Sequence, residues 1–286
     1  ENAGELLADE ISHDNMVSLM VGRDVSQFYQ RSEHQAGETV LQVRGLRTSA
    51  YPRQQIDFQV RAGEIIGVAG LVGAGRTEML QVLFGIDPAI AGEVLIQGKA
   101  VQLENSQQAI EAGLALVPED RKQHGLVVEM SVRENIGLAG LRRHRIAGFF
   151  RDGAQEQRDT TEMVDQLRIK TPSQQQPVQF LSGGNQQKVV LGKWLSMAPS
   201  VILLDEPTRG IDVGAKQEIY QLMEKLARQG VAIVFVSSEL EEIIGMSDRV
   251  LVMHEGSISG QLDRDQLSEE AIMQLATGNV VEPAGA

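Results

Sequence analysis

Apolar positions in the later part of the chain form short continuous runs that alternate with segments of helical period. Continuous runs at Glu64–Ala69, Val201–Leu204 and Val231–Val236 are typical of strands buried on both faces. Gln217–Leu226 instead carries apolar residues at i, i+3, i+4 and i+7, which predicts a helix with one buried face. Strands of this kind alternating with helices predict an α/β fold with a mostly parallel sheet.

Two further regions have a different character. Thr39–Gly63 alternates apolar and polar positions, which predicts strands of an antiparallel layer. Between Pro118 and Ser182 the β-branched runs disappear and Gln, Arg and Glu become frequent, which favours a mostly helical subdomain. The remaining predicted elements are helices at about Gly75–Phe84 and Gly184–Leu195, and strands at Val94–Ile96, Leu114–Val117, Arg249–Met253 and Ser257–Ser259.

The two ends of the chain resemble each other. Gly4–Gly22 aligns without a gap with Gly260–Gly278 and shares six identical positions. Each segment has the pattern of a strand end, a Ser N-cap, an apolar helix and a Gly stop. One interpretation is chance similarity between two amphipathic helices. The other is that residues 1–22 are the last helix of a preceding copy of the same domain, with a polar linker over residues 23–38.

Composition narrows the class of protein. The chain has 286 residues and a formal charge of −13, so its surface repels nucleic acid and anionic membranes, and we expect no nucleic-acid partner. It contains no cysteine, which excludes disulfides, cysteine zinc sites and thiol nucleophiles. No apolar run approaches the roughly 18 residues of a membrane span, and the acidic start lacks a signal-peptide pattern.

A glycine-rich loop follows the first continuous apolar run and opens a predicted helix. This phosphate loop reads Gly70-Leu71-Val72-Gly73-Ala74-Gly75-Arg76-Thr77, and Glu78 comes next. Its glycines let backbone N–H groups turn toward phosphate oxygens, and the helix N-terminus adds a favourable dipole. Thr77 stands where a hydroxyl ligates Mg²⁺, whereas Arg76 occupies the usual lysine position. Taken alone, the loop is equally compatible with a packing turn.

A second pair of motifs lies about 20 residues apart. The signature segment, Leu181–Lys188, places Ser182, Gly183 and Gly184 at the start of a helix, where exposed amides meet anions. Further on, Asp205 and Glu206 end a buried strand, at the sheet edge where ligands bind. The first carboxylate suits Mg²⁺ and the second suits polarising an attacking water.

In order and spacing, these motifs resemble an ATP-binding-cassette (ABC) ATPase over nearly the whole chain from Val40 to Gly278. Finer features resemble the C-terminal cassette of the tandem ATPases that power bacterial monosaccharide importers of the ribose, galactose, xylose and arabinose types. Those features are Arg76, Pro118–Arg121, the long signature segment and Asp205–Ala215.

The resemblance implies a P-loop NTPase core with an antiparallel β layer and a helical subdomain. It assigns residues 39–118 and 195–279 to the nucleotide-binding core, 119–194 to the helical subdomain with the signature, and 280–286 to a tail. It also implies ATP and Mg²⁺ as cofactors.

Individual roles follow from the same resemblance. Gly70–Glu78 would bind phosphates, with Thr77 and Asp205 at Mg²⁺. Glu206 would be the general base, Glu119 stands at the position that is normally the Q-loop glutamine, and Ser238 stands where the switch histidine is expected. Ser182, Gly183, Gly184 and the D-loop residue Asp212 would face nucleotide bound by another cassette. Tyr51 would stack on adenine, although an ordinary turn tyrosine is an equally good interpretation.

Three departures from the family pattern fall on one phosphate site: Arg76, Glu119 and Ser238. Each weakens the chemistry of that site, whereas the signature segment shows no departure. We therefore expect a degenerate site on this cassette and a signature that completes a competent site on its partner. The intact Glu206 argues against complete loss of hydrolysis.

The expected partners are an N-terminal cassette or second copy and a multi-span sugar permease, with a periplasmic sugar-binding protein acting indirectly. The chain would lie peripherally on the cytoplasmic face of the cell membrane. Arginines with aromatics in Gly125–Arg151 suit the groove that receives a permease helix, although a solvated helix face fits them as well. The alternatives are a non-catalytic regulatory nucleotide-binding half and a soluble non-transport ABC ATPase.

Overall fold

A computed structural model describes residues 36–141, 145–146 and 150–278. The expected end of a preceding cassette at 1–22, nearly all of the expected linker and the tail at 280–286 lie outside the described residues.

Strands and helices alternate through most of the described chain. The strands are β1 (Thr39–Arg47), β2 (Ile56–Arg61), β3 (Ile65–Gly70), β4 (Ala91–Ile96), β5 (Lys99–Val101), β6 (Leu114–Val117), β7 (Arg145–Ile146), β8 (Phe150–Arg151), β9 (Val201–Asp205), β10 (Ala232–Val236), β11 (Arg249–His254) and β12 (Ser257–Asp263). The helices are α1 (Arg76–Leu83), α2 (Ser106–Glu111), α3 (Val132–Gly137), α4 (Gly153–Gln166), α5 (Gly183–Leu195), α6 (Val213–Arg228), α7 (Leu240–Met246) and α8 (Glu269–Ala276).

The central sheet has six strands in the order β12-β11-β3-β10-β9-β6, and only the β11–β12 pair is antiparallel. Every residue of β9 and β10 is buried, as the continuous apolar runs predict. In the register, Val236 pairs with both Val68 and Asp205. The carboxyl ends of β3, β9 and β10 therefore meet at one edge of the sheet.

A second, four-stranded antiparallel sheet has the order β2-β1-β4-β5 and confirms the predicted layer. Its β2 strand alternates strictly between buried and exposed residues, which reflects one face on the core and one in solvent. Buried residues of both sheets belong to one hydrophobic cluster.

The helical subdomain expected at 119–194 contains α3, α4 and most of α5, which pack on one another. Two features were not predicted there: the short hairpin of β7 and β8, and a π-helical turn at Arg121–Gly125. Neither has an apolar repeat, so hydrophobic patterning has no signal for it.

Helix boundaries differ from the predicted ones where polar caps decide them. Helix α6 begins at Val213 rather than Gln217 because the Asp212 carboxylate accepts a hydrogen bond from the Ala215 amide at 2.9 Å. The C-terminal segment of the end-to-end repeat has the predicted form, with Ser268 capping α8 and Gly278 following it at a φ of 79°. Gly4–Gly22 lies outside the described residues.

Within the described part of the chain, no helix combines the length and the apolar character needed to cross a bilayer.

Candidate functional site

A cleft of about 390 Å³ opens at the carboxyl edge of the central sheet. This site cleft is lined by Val72, Gly73, Ala74, Gly75, Arg76, Thr77, Glu78, Glu119, Glu206, Arg209, Val236 and Ser238. The structure therefore brings most of the phosphate loop together with Glu119, Glu206 and Ser238, as the sequence predicted. Parallel strands that end at one edge are the reason, since each delivers its following loop to the same place.

The phosphate loop has the backbone that anion binding needs. Gly70, Gly73 and Gly75 have φ angles of 153°, 80° and 95°. Gly75 is the N-cap of α1, and no described side chain caps that helix. The first amides of α1 are thus available to an anion at the positive end of the helix dipole. A Cβ on Gly70 would lie 2.5 Å from the Met253 carbonyl oxygen, so a side chain is excluded there.

Tyr51 lies against this loop. Its hydroxyl donates a hydrogen bond to the Gly73 carbonyl, and a Cβ on Gly75 would lie 3.0 Å from the Tyr51 ring. The ring also packs against Gly256. Tyr51 is therefore beside the phosphate loop, and its role in stacking on adenine stays a prediction.

The Arg76 side chain crosses from the start of α1 to the end of β10. Its Nη1 donates a hydrogen bond to the Ser237 carbonyl oxygen at 3.0 Å. The planar guanidinium makes this contact with the protein itself, whereas the lysine expected at this position is a compact charge suited to phosphate.

Asp205 lies at the end of β9 with only 4% of its surface exposed. Burial raises the pKa of its carboxyl to about 6, and Glu206 and Glu78 act in the same direction, whereas the Thr77 hydroxyl and Arg76 oppose the shift. Its Oδ1 has no hydrogen-bond partner among the described residues. A buried carboxylate oxygen without a partner, beside a threonine hydroxyl, fits the hard oxygen ligands that Mg²⁺ prefers.

Glu206 is held in an uncommon backbone conformation with a φ of 48°. Its amide donates to the Val236 carbonyl at 3.0 Å, which joins it to the end of β10. Its carboxylate Oε2 accepts a hydrogen bond from the Ser238 hydroxyl at 3.2 Å. The residue at the switch position therefore contacts the candidate general base directly.

Glu119 pairs with a residue to which sequence analysis assigned no role. Its carboxylate forms an ion pair with Arg209, and both side chains are substantially exposed. Arg121, also without a predicted role, donates from Nη1 to the Arg209 carbonyl at 2.8 Å and from Nη2 to the Gly210 carbonyl at 3.1 Å. An ion pair and two hydrogen bonds thus join the segment after β6 to the loop after β9. Arg209 lines the cleft, a position that the sequence analysis did not predict.

The predicted signature and D-loop residues form a separate cluster that does not line the site cleft. Ser182 caps α5 by accepting a hydrogen bond from the Asn185 amide. A Cβ on Gly184 would lie 2.5 Å from that of Ala215 and 3.8 Å from an Asp212 carboxylate oxygen, so α5 and α6 meet closely there. Gly183 lies beside the Arg121 guanidinium and the Gly210 carbonyl. That these residues face nucleotide bound by another cassette stays a prediction.

The arginine-rich stretch Gly125–Arg151 is described in part, and Arg142, Arg143 and Phe149 lie outside the described residues. Arg133 turns toward α4, where it donates to the Gly153 carbonyl at 2.7 Å and lies 3.5 Å from Glu156. This arginine therefore serves packing within the subdomain.

Comparison with known sequences places these features in context. The family described as ABC transporter matches residues 53–209. The chain is 46% identical to a ribose import ATP-binding protein of Bacillus cereus, over 97% of this chain and 56% of that protein. It is also 46% identical to a xylose import ATP-binding protein of Photobacterium profundum, over 98% of this chain and 57% of that protein. The chain thus spans about half the length of the curated relatives it matches.

Solved structures share the fold. A post-hydrolysis dimer of an ATP-binding cassette bound to ADP and Pi superposes with a TM-score of 0.67 at 20% identity, covering 78% of this chain and 98% of that one. A nucleotide-free cassette from an ABC transporter superposes with a TM-score of 0.68 at 18% identity, covering 84% and 95%. The predicted α/β fold of the P-loop NTPase class is confirmed.

Proposed function

Because the chain belongs to the ABC transporter family, we propose that it is a nucleotide-binding cassette that binds and hydrolyses ATP to drive monosaccharide import. The observation that carries this proposal is the oxygen of buried Asp205 that has no partner among the described residues, in a carboxylate that is hydrogen-bonded to Thr77 of the phosphate loop. A desolvated carboxylate is costly to keep unless a cation or a proton neutralises it. A Mg²⁺–nucleotide complex supplies that cation.

Each group in the cleft has a part in this chemistry. Amides of the phosphate loop and the start of α1 bind the phosphates of ATP. Thr77 and Asp205 would hold Mg²⁺, which would neutralise charge on the phosphates. Glu206 accepts the proton of the attacking water, and the Ser238 hydroxyl, 3.2 Å from the Glu206 carboxylate, orients that carboxylate. Glu119 lines the cleft beside these groups, where it is paired with Arg209.

The site on this cassette turns over slowly. Arg76 is engaged with the Ser237 carbonyl, Glu119 with Arg209, and Ser238 is a weaker partner for a phosphate than the histidine of the family pattern. Each of the three side chains therefore has a partner within the protein, which for Ser238 is the Glu206 carboxylate. In a head-to-tail pair, Ser182, Gly183, Gly184 and Asp212 complete the competent site on the partner.

The lengths and names of the relatives support the larger assembly that we propose. They are about twice as long as this chain and their names specify sugar import. This chain is the C-terminal cassette of such a tandem, divided into core, helical subdomain and end of a preceding cassette at the boundaries that the motifs predict. It pairs with the N-terminal cassette or a second copy. It docks on a multi-span sugar permease at the cytoplasmic face of the membrane, and a periplasmic sugar-binding protein delivers the sugar.

The test is Mg²⁺-dependent ATP hydrolysis and ATP binding, measured on the same preparation of this chain. The matched variants are Glu206→Gln in the cleft and Glu241→Gln on the exposed side of α7. We expect slow hydrolysis that Glu206→Gln removes without loss of binding and that Glu241→Gln leaves unchanged. A chain that binds no ATP would refute the proposal. Rapid hydrolysis that Glu206→Gln abolishes would refute the claim that this site turns over slowly.

A non-catalytic regulatory half is the second candidate, and the internal hydrogen bond of Arg76 is the observation that favours it. It predicts ATP binding without any Mg²⁺-dependent turnover in the same assay.

A further inference from the structure

One buried carboxylate lies behind the site cleft without lining it. Glu242, on α7, is 1% exposed. Four described side chains donate to it: the hydroxyls of Thr208 at 2.8 and 2.7 Å, Ser237 at 2.8 Å and Tyr220 at 2.5 Å, and Nζ of Lys216 at 3.0 Å. Sequence motifs do not predict this cluster, because its members are spread over 35 positions and share no regular spacing.

These partners keep the carboxyl ionised. Burial alone would raise the pKa of Glu242, but the hydrogen bonds from Tyr220, Thr208 and Ser237 and the charge of Lys216 outweigh burial and hold the pKa below its usual value. An ionised carboxylate only accepts hydrogen bonds, and bonds to it are stronger than those between neutral groups. The cluster is therefore a rigid connection between its donors.

Two of these donors come from the two loops that carry the candidate catalytic groups, and the other two lie on α6. Thr208 is two residues after Glu206, in the loop that follows β9, and Ser237 directly precedes Ser238, at the end of β10. The hydroxyl of Ser237 donates to Glu242, while its carbonyl accepts from Arg76. A single carboxylate thus holds both loops, and the strained φ of Glu206 needs such support from its surroundings.

We propose that Glu242 is a positioning residue that sets the placement of Glu206 relative to Ser238 by holding Thr208 and Ser237. The inference rests on the proposed function, since it assigns Glu242 to the same nucleotide site. Glu242 acts through these two loops, and its described hydrogen-bond partners are not among the residues that line the cleft.

Steady-state kinetics with Glu242→Gln test this assignment. Glutamine keeps the size of the side chain but removes its charge and replaces one acceptor oxygen by a donor, so the side chain can no longer accept from all four donors. We expect kcat for ATP to fall about tenfold or more while KM changes less than about twofold. Glu241→Gln, one residue earlier on an exposed position, is the matched control and should leave both parameters unchanged.

Hydrogen–deuterium exchange gives a second readout that needs no turnover. In Glu242→Gln we expect faster exchange at residues 206–210 and 237–239, with β3 as protected as before. Unchanged exchange at both loops, or loss of protection in β3 together with them, would overturn the positioning role. If the unsubstituted chain fails to hydrolyse ATP, the proposed function fails, and the exchange data still decide this inference.

Two further variants decide the question if Glu242→Gln does not fold. Thr208→Val removes a donor that belongs to a catalytic loop, whereas Tyr220→Phe removes a donor on α6 that belongs to neither loop. We expect Thr208→Val to lower kcat and Tyr220→Phe to preserve it. Equal losses in the two variants would show that the cluster is only a structural anchor.

Discussion

The guanidinium of Arg76 and the backbone carbonyl of Ser237 are joined by a hydrogen bond of 3.0 Å, across 161 positions of sequence. It connects the first residue of α1 to the loop that follows β10. Because Ser237 also donates to Glu242, the phosphate loop, the switch position and the buried carboxylate belong to one connected set of contacts. A charge that the family pattern directs at phosphate is here part of the internal structure of the site.

We therefore expect the substitution Arg76→Lys to strengthen ATP binding at this site. A lysine ammonium is compact and reorients on a flexible stem, so it binds phosphate oxygens as a point charge. We expect ATP affinity to rise about three- to tenfold, measured by isothermal titration calorimetry. Arg76→Ala, which removes the charge, should lower it, and weaker ATP binding by Arg76→Lys than by the unsubstituted chain would contradict this account.

Mg²⁺ dependence should change near the pKa of Asp205. Protons and Mg²⁺ compete for this carboxylate, whose pKa burial raises to about 6. The apparent Mg²⁺ affinity of the nucleotide-bound chain should be constant above about pH 7 and about tenfold weaker at about pH 5. Titrations at several pH values measure this, and Asp205→Asn should lose both the high affinity and its pH dependence.

The same carboxylate should destabilise the nucleotide-free protein at neutral pH. Its pKa in the folded state, about 6, exceeds the ordinary 3.8, so the folded state binds the proton more tightly than the unfolded state does. The protonated Asp205 carboxyl therefore favours the folded state. This contribution to the free energy of unfolding is complete below about pH 3.8 and is lost as pH rises through about 6. Asp205→Asn removes the buried charge and should raise the free energy of unfolding by about 3 kcal/mol at about pH 7.5.

Urea denaturation at several pH values checks this gain, which should shrink toward zero as pH approaches about 4. Asp265→Asn, on an exposed position, is the control and should have no such effect. A loss of stability in Asp205→Asn at about pH 7.5 would mean that its bond to Thr77 outweighs the cost of burying the charge.

Arg209 and Arg121 should differ in their importance for stability. The Arg209 side chain is 65% exposed and its Glu119 partner 40%, so Arg209→Ala should change the free energy of unfolding by less than about 1 kcal/mol. Arg121→Ala removes two hydrogen bonds to the Arg209 and Gly210 carbonyls and should cost about 1–3 kcal/mol. Denaturant titrations of both variants measure the difference, and equal losses would contradict it.

Local patterns accounted for most of the fold. Continuous apolar runs located β3, β9 and β10, since burial on both faces leaves no room for alternation. Glycine-rich turns located the phosphate loop and the signature segment, because the backbone conformation required there favours particular residues. Elements without a hydrophobic repeat or a characteristic residue, such as the π-helical turn at Arg121–Gly125, could not be predicted from the sequence.

The sequence by itself thus determined which residues are available for chemistry: the phosphate loop, Asp205 and Glu206 at a strand end, and three departures at Arg76, Glu119 and Ser238. Only the tertiary structure decided the partners of those residues, since Arg76 meets Ser237 and Glu119 meets Arg209 across long stretches of chain. It also selected Glu242, whose role depends on burial and on donors from separate elements. A hydrogen bond depends on a distance of about 3 Å in space and not on the separation along the chain. Local sequence patterns therefore cannot predict such contacts.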